Sequence, residues 1–280
     1  MKILVTGSSG MLGSDLHVSL GNKHQVLPYS GKDLDLTLRA GTISAVRAAQ
    51  PDIVINCAAY TKVDLAEKER EKAFLVNGVG VQNLAIACEE LKIPLCHIST
   101  DYVFDGASNT PYTPFDDTGP INVYGESKLA GEKYIQWIMN KFYIVRTSWL
   151  YGKSRNNFVY TIQKLCANRD EIRIVDDQTG SPTWTVSLSQ AIGQLIETGA
   201  YGIYHITDDT GGGISWYDFA CEIVSVLGSG TRVIPIKTEE YPTPAKRPRH
   251  SILDISLNYP VFGYKAPGWK QSLQKFFSSD

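Results

Sequence analysis

The chain has 280 residues, of which 43% are hydrophobic and 20% charged, and its 27 basic and 29 acidic residues give a formal net charge of −2. This composition is typical of a globular protein, and it lacks the positive field that gathers polyanions, so we expect no nucleic acid partner. We recognise no leader sequence and no stretch that is apolar enough to span a bilayer, so we expect a cytoplasmic protein without membrane association.

Short apolar runs alternate with helical patterns through the first half of the chain. Strands are predicted at 2–6, 25–28, 53–56, 95–99 and 143–147. Helices are predicted at 11–20, 42–49, 70–91 and 124–139. This alternation is typical of right-handed βαβ units and of a parallel sheet that helices cover on both faces.

The pattern loosens after about residue 151. Helical stretches at 157–167, 187–197 and 215–227 alternate with loops rich in proline and glycine. We therefore predict an α/β fold with a Rossmann-type doubly wound parallel sheet and a smaller mixed α/β lobe. Residues 1–150 would form the dinucleotide-binding domain and 151–280 mainly a substrate-binding lobe, with later segments returning to the main sheet.

A glycine-rich turn follows the first predicted strand and opens the first predicted helix. Its spacing is G-x-x-G-x-x-G, at 7, 10 and 13. Glycine lets the backbone approach a pyrophosphate, and the helix N-terminus offers free N–H groups, although a purely structural turn could have the same sequence. The turn residues that we expect to contact a dinucleotide are Gly7, Ser9, Gly10, Met11, Leu12 and Gly13.

The choice of cofactor depends on the end of the second predicted strand. An acidic residue there accepts the ribose hydroxyls of NAD, whereas small or basic residues admit the 2′-phosphate of NADP. Ser30 and Lys32 favour NADPH, and Asp33 tempers that preference. We predict NADPH, with NADH possible, although this segment could also be a plain polar turn.

Tyr124 and Lys128 share one face of a predicted helix, because they lie four residues apart. A neighbouring ammonium stabilises phenolate, so Lys128 is expected to lower the pKa of Tyr124 and make it a general acid. Thr100, at the end of the fourth predicted strand, could hydrogen-bond the same carbonyl oxygen. A lone Y-x-x-x-K is often only a solvated helix face, but the glycine turn and Thr100 make a catalytic site the stronger interpretation.

The order of these motifs resembles the extended short-chain dehydrogenase/reductase superfamily, and their sequences resemble the dTDP-4-dehydrorhamnose reductase family within it. The matching segments lie at 56–64, 99–106, 122–132, 146–151, 156–158, 177–183 and 242–248. They cover nearly the whole chain.

The resemblance implies reduction of the C4 keto group of a dTDP-linked 4-keto-6-deoxy-hexose. Tyr124 would protonate the C4 oxygen, Lys128 would hold the cofactor ribose, and Thr100 would position the carbonyl. Further cofactor contacts are implied for Asp35, Leu36, Ala58, Ala59, Tyr60 and Asn77. Substrate contacts are implied for Thr61, Asp101, Tyr102, Trp149 and Arg247.

Several of these residues have a simpler alternative. Trp149 could be a core aromatic side chain, and Asp101 could cap the strand end. The resemblance implies that Asn77 anchors a water or a backbone group behind the catalytic site, and a local helix hydrogen bond is its alternative. Arg247 stands in a small basic cluster with Lys246 and Arg249. The cluster could neutralise the substrate pyrophosphate or form an ordinary solvated loop.

No metal site is predicted. The five cysteines are scattered without C-x-x-C spacing, so neither zinc nor a disulfide framework is expected. Some family members form a metal-bridged dimer through acidic side chains, but the segment 184–188 lacks an acidic pair to accompany Asp15. We expect no structural magnesium and either a monomer or a homodimer.

Two rival functions remain open. An epimerase of the same superfamily shares the fold and the Tyr–Lys pair but retains its NAD. A dehydratase is disfavoured, since it needs an extra acid where this chain has Tyr102. A non-catalytic subunit resembling the β subunit of methionine adenosyltransferase is the rival from another class, and it would not need Thr100, Tyr124 and Lys128 together.

Overall fold

A computed structural model describes residues 1–279. A six-stranded sheet forms its centre, with strands β1 (Lys2–Thr6), β2 (Gln25–Tyr29), β3 (Ile53–Asn56), β4 (Leu95–Thr100), β5 (Phe142–Thr147) and β10 (Gly202–His205), numbered in chain order. All neighbours pair in parallel, in the order β10-β5-β4-β3-β1-β2. The predicted doubly wound parallel sheet is confirmed.

Helices cover both faces of this sheet. One face carries α1 (Met11–Gly21) and α8 (Thr185–Leu195), which pack Leu16 and Leu20 with Leu188 and Ile192 against the strands. The other face carries α2 (Arg39–Ala49), α5 (Gly80–Leu91) and α6 (Val123–Ile138). Strands β3 and β4 are buried along their whole length, which explains the nearly continuous apolar run of β3. Strand β4 also buries three polar residues, His97, Ser99 and Thr100.

The predicted helix at 70–91 contains a change of helical type. It consists of α4 (Arg70–Phe74), a π-helical turn (Leu75–Val79) and α5. Short elements that were not predicted are α3 (Val63–Ala66) and the 3₁₀ turns Asp101–Val103 and Thr238–Glu240. These short elements lie near the residues that the sequence analysis assigned to the active site. A short turn can direct side chains that a longer regular helix would orient elsewhere.

The remaining elements form a smaller mixed α/β region around a core of its own. Its core contains Ile162, Phe219 and Leu273. Its strands are β6 (Leu150–Tyr151), β7 (Glu171–Val175), β8 (Thr179–Gly180), β9 (Thr183–Trp184), β11 (Ile214–Ser215) and β12 (Arg232–Ile236). Its helices are α7 (Phe158–Cys166), α9 (Trp216–Val226) and α11 (Trp269–Ser278), whereas α10 (Asn258–Phe262) packs through Phe262 against the core of the central sheet.

The second half of the chain also contributes to the central sheet. Helix α8 packs on α1, and β10 then extends the sheet by pairing in parallel with β5. The chain therefore passes from the smaller region back to the sheet between β9 and β10, which brings loops of both regions to the carboxyl ends of the sheet strands.

Two absences concern residues 1–279. No helix there combines the length and the apolar character that a membrane crossing needs. In the same residues, no group of three or more histidine, cysteine or acidic side chains is arranged to hold a metal ion.

Candidate active site

The glycine turn between β1 and α1 is closely packed against the loop after β3. Gly7 has φ +67°, and a Cβ atom there would lie 2.5 Å from the backbone nitrogen of Ala58. A Cβ atom at Gly13 would lie 2.5 Å from the carbonyl oxygen of Gly7. The turn therefore needs glycine at both positions and presents the N-terminus of α1 to a cavity of about 600 Å³.

This first cavity contains most of the residues predicted to bind the cofactor. Those that line it are Gly7, Ser9, Gly10, Met11, Leu12, Gly13, Asp35, Leu36, Ala58, Ala59, Tyr124 and Lys128. Its size is within the range of cofactor sites, and its open helix N-terminus suits a pyrophosphate, so the residues present fit a bound dinucleotide.

Ser30, Tyr60 and Asn77 differ from the prediction, since none of them lines the first cavity. The Ser30 hydroxyl and amide both donate to Asp33, at 2.6 and 2.8 Å. Asn77 is buried and holds the Tyr60 backbone, accepting from its N–H at 2.8 Å and donating to its carbonyl at 3.0 Å. Asn77 therefore supports the loop that follows β3, behind the cavity.

We predict that Gly7→Ala weakens NADPH binding roughly tenfold or more, because a non-glycine residue at positive φ costs about 1–3 kcal/mol and the turn would rearrange to relieve that strain. Fluorescence titration with NADPH measures the dissociation constant. Gly21→Ala is the matched control, since a Cβ atom there meets nothing within 4 Å. Equal affinities for the two variants would contradict the assignment of the turn.

Helix α6 positions the predicted catalytic pair. The Asn122 side chain caps the helix by accepting from the backbone N–H of Gly125 at 2.8 Å. Gly125 packs so closely on the carbonyl of Tyr102 that no side chain fits there. These contacts fix the first turn of α6 against the 3₁₀ turn after β4, so Tyr124 and Lys128 both face the first cavity.

The pKa of Tyr124 is raised in this structure, whereas the sequence analysis predicted a lowered pKa. Burial raises the pKa of Tyr124 to about 12, with a partial offset from the Thr100 hydroxyl and a further rise from Asp101. The expectation that Lys128 lowers this pKa is wrong for this structure. The Lys128 Nζ atom instead donates to the carbonyl of Ile98 at 2.6 Å, and burial lowers the pKa of Lys128 to about 8.

A second cavity, of about 870 Å³, lies between the 3₁₀ turn after β4 and the smaller region. Tyr102 lines it, and the Tyr102 ring packs edge-on against Tyr124 with the ring centroids 5.8 Å apart. The two cavities therefore lie on either side of the contact between Tyr102 and Tyr124. Aromatic and basic side chains of the second cavity are Phe158, Trp216, Tyr241, Arg169, Arg173 and Arg247.

The residues predicted to bind substrate are divided between these surroundings. Tyr102 and Arg247 line the second cavity, whereas Thr61 lines the first. Asp101 and Trp149 line neither cavity. Asp101 is buried and accepts from the Thr100 hydroxyl at 3.0 Å, and Trp149 stacks on Trp216 with the ring centroids 3.6 Å apart.

The basic cluster is only partly at the site. Arg247 forms a two-pronged ion pair with Asp64, at 2.5 and 2.8 Å, and this pairing holds its guanidinium at the cavity wall. Arg249 pairs with Glu239 and does not line the cavity. Sequence reasoning missed Arg169 and Arg173, which follow no motif, and Arg155, which lines the first cavity and donates to the carbonyl of Ser9.

Comparison with known proteins agrees with this architecture. The model of the RmlD substrate binding domain matches residues 1–280. A dTDP-4-dehydrorhamnose reductase of Aggregatibacter actinomycetemcomitans is 39% identical over 98% of this chain and 97% of its own length. A dTDP-4-keto-6-deoxy-D-glucose reductase of Streptomyces niveus is 42% identical over 89% of this chain and 87% of its own length.

A solved structure is equally similar. The dTDP-4-dehydrorhamnose reductase of Bacillus anthracis, in complex with NADP, has a TM-score of 0.96 and 41% identity, covering 99% of this chain and 98% of that one. The resemblance predicted from the motifs is thus confirmed, and the chain belongs to the RmlD substrate binding domain family, to which it is similar over its full length.

Proposed function

We propose that the protein is an NADPH-dependent reductase of the C4 keto group of a dTDP-linked 6-deoxy-4-keto-hexose, giving dTDP-L-rhamnose or a close relative of it. The observation that carries the proposal is the position of Tyr124. Its ring lines the first cavity, beside the glycine turn, and contacts Tyr102 of the second cavity. A proton donor therefore stands where a cofactor and a sugar would meet.

Reduction of a ketone requires a hydride, which NADPH supplies when bound, and a proton, which the protein must supply. Tyr124 would donate its Oη proton to the C4 oxygen, because a phenol with a raised pKa is protonated at neutral pH. The Thr100 hydroxyl lies beside Tyr124 but donates to Asp101 in this structure, so it would turn from Asp101 to hold the same oxygen. Lys128 would bind the cofactor ribose at the floor of the first cavity.

The second cavity supports a nucleoside diphosphate sugar as the substrate. Arg169, Arg173 and Arg247 bring positive charge to its wall and suit the two phosphates. Arg173 is paired with Glu240 and Arg247 with Asp64, so a bound phosphate would share these two guanidinium groups with the carboxylates. The aromatic rings of Phe158 and Trp216 stand at the same wall and suit a planar base. Tyr102 would contact the sugar between the two.

The NADP complex of the relative from Bacillus anthracis supports NADPH as the cofactor. At the end of β2, the Oδ2 atom of Asp33 accepts from the hydroxyl and the amide of Ser30. Those two hydrogen bonds hold the pKa of Asp33 below its usual value, so the carboxylate is ionised at neutral pH. Its Oδ1 atom stays open to a ribose hydroxyl, so NADH is the alternative cofactor.

The expected result of a coupled assay is oxidation of NADPH by the purified protein when dTDP-4-keto-6-deoxy-glucose and a 3,5-epimerase are both present. Reduced-nicotinamide absorbance gives the rate, and parallel reactions with NADH give the cofactor preference. A reaction without the epimerase distinguishes the two activities named for the relatives, since one of those sugars is epimerised and the other is not.

Two results would overturn the proposal. Turnover with tightly retained NAD and no net oxidation of NADPH would indicate an epimerase. Binding of NADPH without turnover of either sugar would favour the non-catalytic alternative.

A further inference from the structure

A chain of buried polar side chains runs beneath the candidate active site. Thr6, Asn56 and His97 stand on the adjacent strands β1, β3 and β4, and Lys128 follows on α6. The links are Thr6 Oγ1 to Asn56 Oδ1 at 2.7 Å, Asn56 Nδ2 to His97 Nδ1 at 2.9 Å, and His97 Nε2 to Lys128 Nζ at 3.2 Å. At most 2% of any of these side chains is exposed.

Two hydrogen bonds to Asn56 Oδ1 fix the orientation of the Asn56 amide. The backbone N–H of Ala58 donates to Asn56 Oδ1 at 3.1 Å, and the Thr6 hydroxyl donates to the same oxygen. Reversing the amide would point its NH₂ group at the Ala58 N–H. The NH₂ group therefore faces His97, and its hydrogen is donated to Nδ1.

This donation determines the tautomer of His97. Burial holds the pKa of His97 well below its usual value, so the ring is neutral. Since Nδ1 accepts a hydrogen bond, the single ring proton lies on Nε2. The Nε2–H group then points at Lys128 Nζ, which also lies 2.6 Å from the carbonyl of Ile98.

An ammonium group has three donors and no acceptor, so a charged Lys128 would set N–H against N–H at 3.2 Å. A neutral amine can accept from His97 and still donate to Ile98. We propose that His97 is a positioning residue that disfavours the charged form of Lys128 and thereby sets the upper pH limit of catalysis. The inference rests on the proposed function, in which Lys128 acts beside Tyr124.

Other groups that face Lys128 act around this effect. Burial lowers the pKa of Lys128 to about 8, while Glu132 on the next turn and Cys57 after β3 oppose that shift. The charge of Glu132 is already paired with Arg146. Tyr124 on the preceding turn is protonated at neutral pH, since burial raises its pKa. Among these side chains, His97 is the one within hydrogen-bond distance of Nζ.

The direction in which the pH limit should move follows from which nitrogen of His97 carries the proton. If activity requires the Lys128 ammonium, the rate falls as pH rises through the pKa of Lys128. Asn56→Asp offers a carboxylate that accepts from Nδ1–H, so the other tautomer forms and Nε2 accepts from the ammonium. We expect the basic limb of the pH profile of kcat/KM to move upward by about one pH unit or more, a tenfold change in proton affinity.

His97→Gln removes the ring donor without adding a charge, and it should move the same limb in the same direction. Asn83→Asp is the matched control: Asn83 is also buried but lies on α5 and donates to the carbonyl of Leu36 in the loop between β2 and α2. The basic limb of the pH profile of Asn83→Asp should lie at the same pH as that of the wild-type protein. A limb that stays fixed in both Asn56→Asp and His97→Gln would overturn the proposal.

A second measurement needs no turnover. ¹⁵N NMR of the histidine rings in the wild-type protein should show His97 with a protonated Nε2 and a bare Nδ1 at neutral pH. The chain has five histidines, and the His97 signals are those lost in His97→Gln. A proton on Nδ1 would refute the tautomer even if the enzyme reduces its sugar, whereas an inactive enzyme with the expected tautomer would refute only the proposed function.

Discussion

Replacing Tyr124 by phenylalanine is expected to lower kcat roughly 10²- to 10⁴-fold, the range that a positioned general acid contributes. The ring would remain in place, because its edge contact with Tyr102 does not involve the hydroxyl. The dissociation constant for NADPH should therefore stay near the wild-type value. The rate of NADPH oxidation gives kcat, and a binding titration gives the dissociation constant for NADPH separately.

Tyr134→Phe is the matched control for this prediction. Tyr134 lies on the same helix and packs against Trp137, away from both cavities. Its variant should turn over at the wild-type rate. If Tyr124→Phe retained more than about a tenth of the wild-type kcat, another group would have to supply the proton and Tyr124 would not be the general acid.

Glu132→Gln is expected to cost about 3–5 kcal/mol of unfolding free energy, the usual penalty when one member of a buried ion pair is neutralised. Glu132 is fully buried and lies 2.7 Å from Arg146 Nη2, and it also accepts from the Ser99 hydroxyl at 2.5 Å. The neutral amide leaves the Arg146 charge buried without a counter-charge. Urea denaturation followed by tryptophan fluorescence measures the loss.

The exposed pair of Arg47 and Glu90 provides the control. Their side chains are 62% and 45% exposed, so Glu90→Gln should cost only about 0–1 kcal/mol. In the double variant Glu132→Gln with Arg146→Met, part of the loss should be recovered, because no buried charge remains unpaired. A cost for Glu132→Gln as small as that for Glu90→Gln would show that the buried pair contributes little.

The sequence was sufficient where a function depends on a short local pattern. The glycine turn, the spacing of Tyr124 and Lys128, and Thr100 at the end of β4 are each specified within a few residues. Parallel strands end at one edge, so these patterns could be combined into one candidate site before the structure was known. The structure brings Tyr124 and Lys128 to the same cavity.

Features that depend on distant contacts were not predictable. The spacing of four residues implied that Lys128 would act on Tyr124, but the partners of its Nζ atom come from β4, and no local pattern indicates them. Trp149 was assigned to the sugar pocket, and its stacking on Trp216 depends on the packing of the smaller region. The pairing of Arg247 with Asp64 likewise joins two residues that lie far apart in the sequence.

Strand β10 is one of the two edge strands of the central sheet, and it follows the first residues of the smaller region in the sequence. During translation, the first 150 residues leave the ribosome while the outer edge of β5 has no partner and the apolar face of α1 has no α8 to cover it. The central sheet therefore reaches its full width only after residue 205 has been synthesised. Expression of the first 150 residues alone would leave the edge of β5 unpaired, and such an edge favours aggregation. The full-length chain is therefore the better choice for expression.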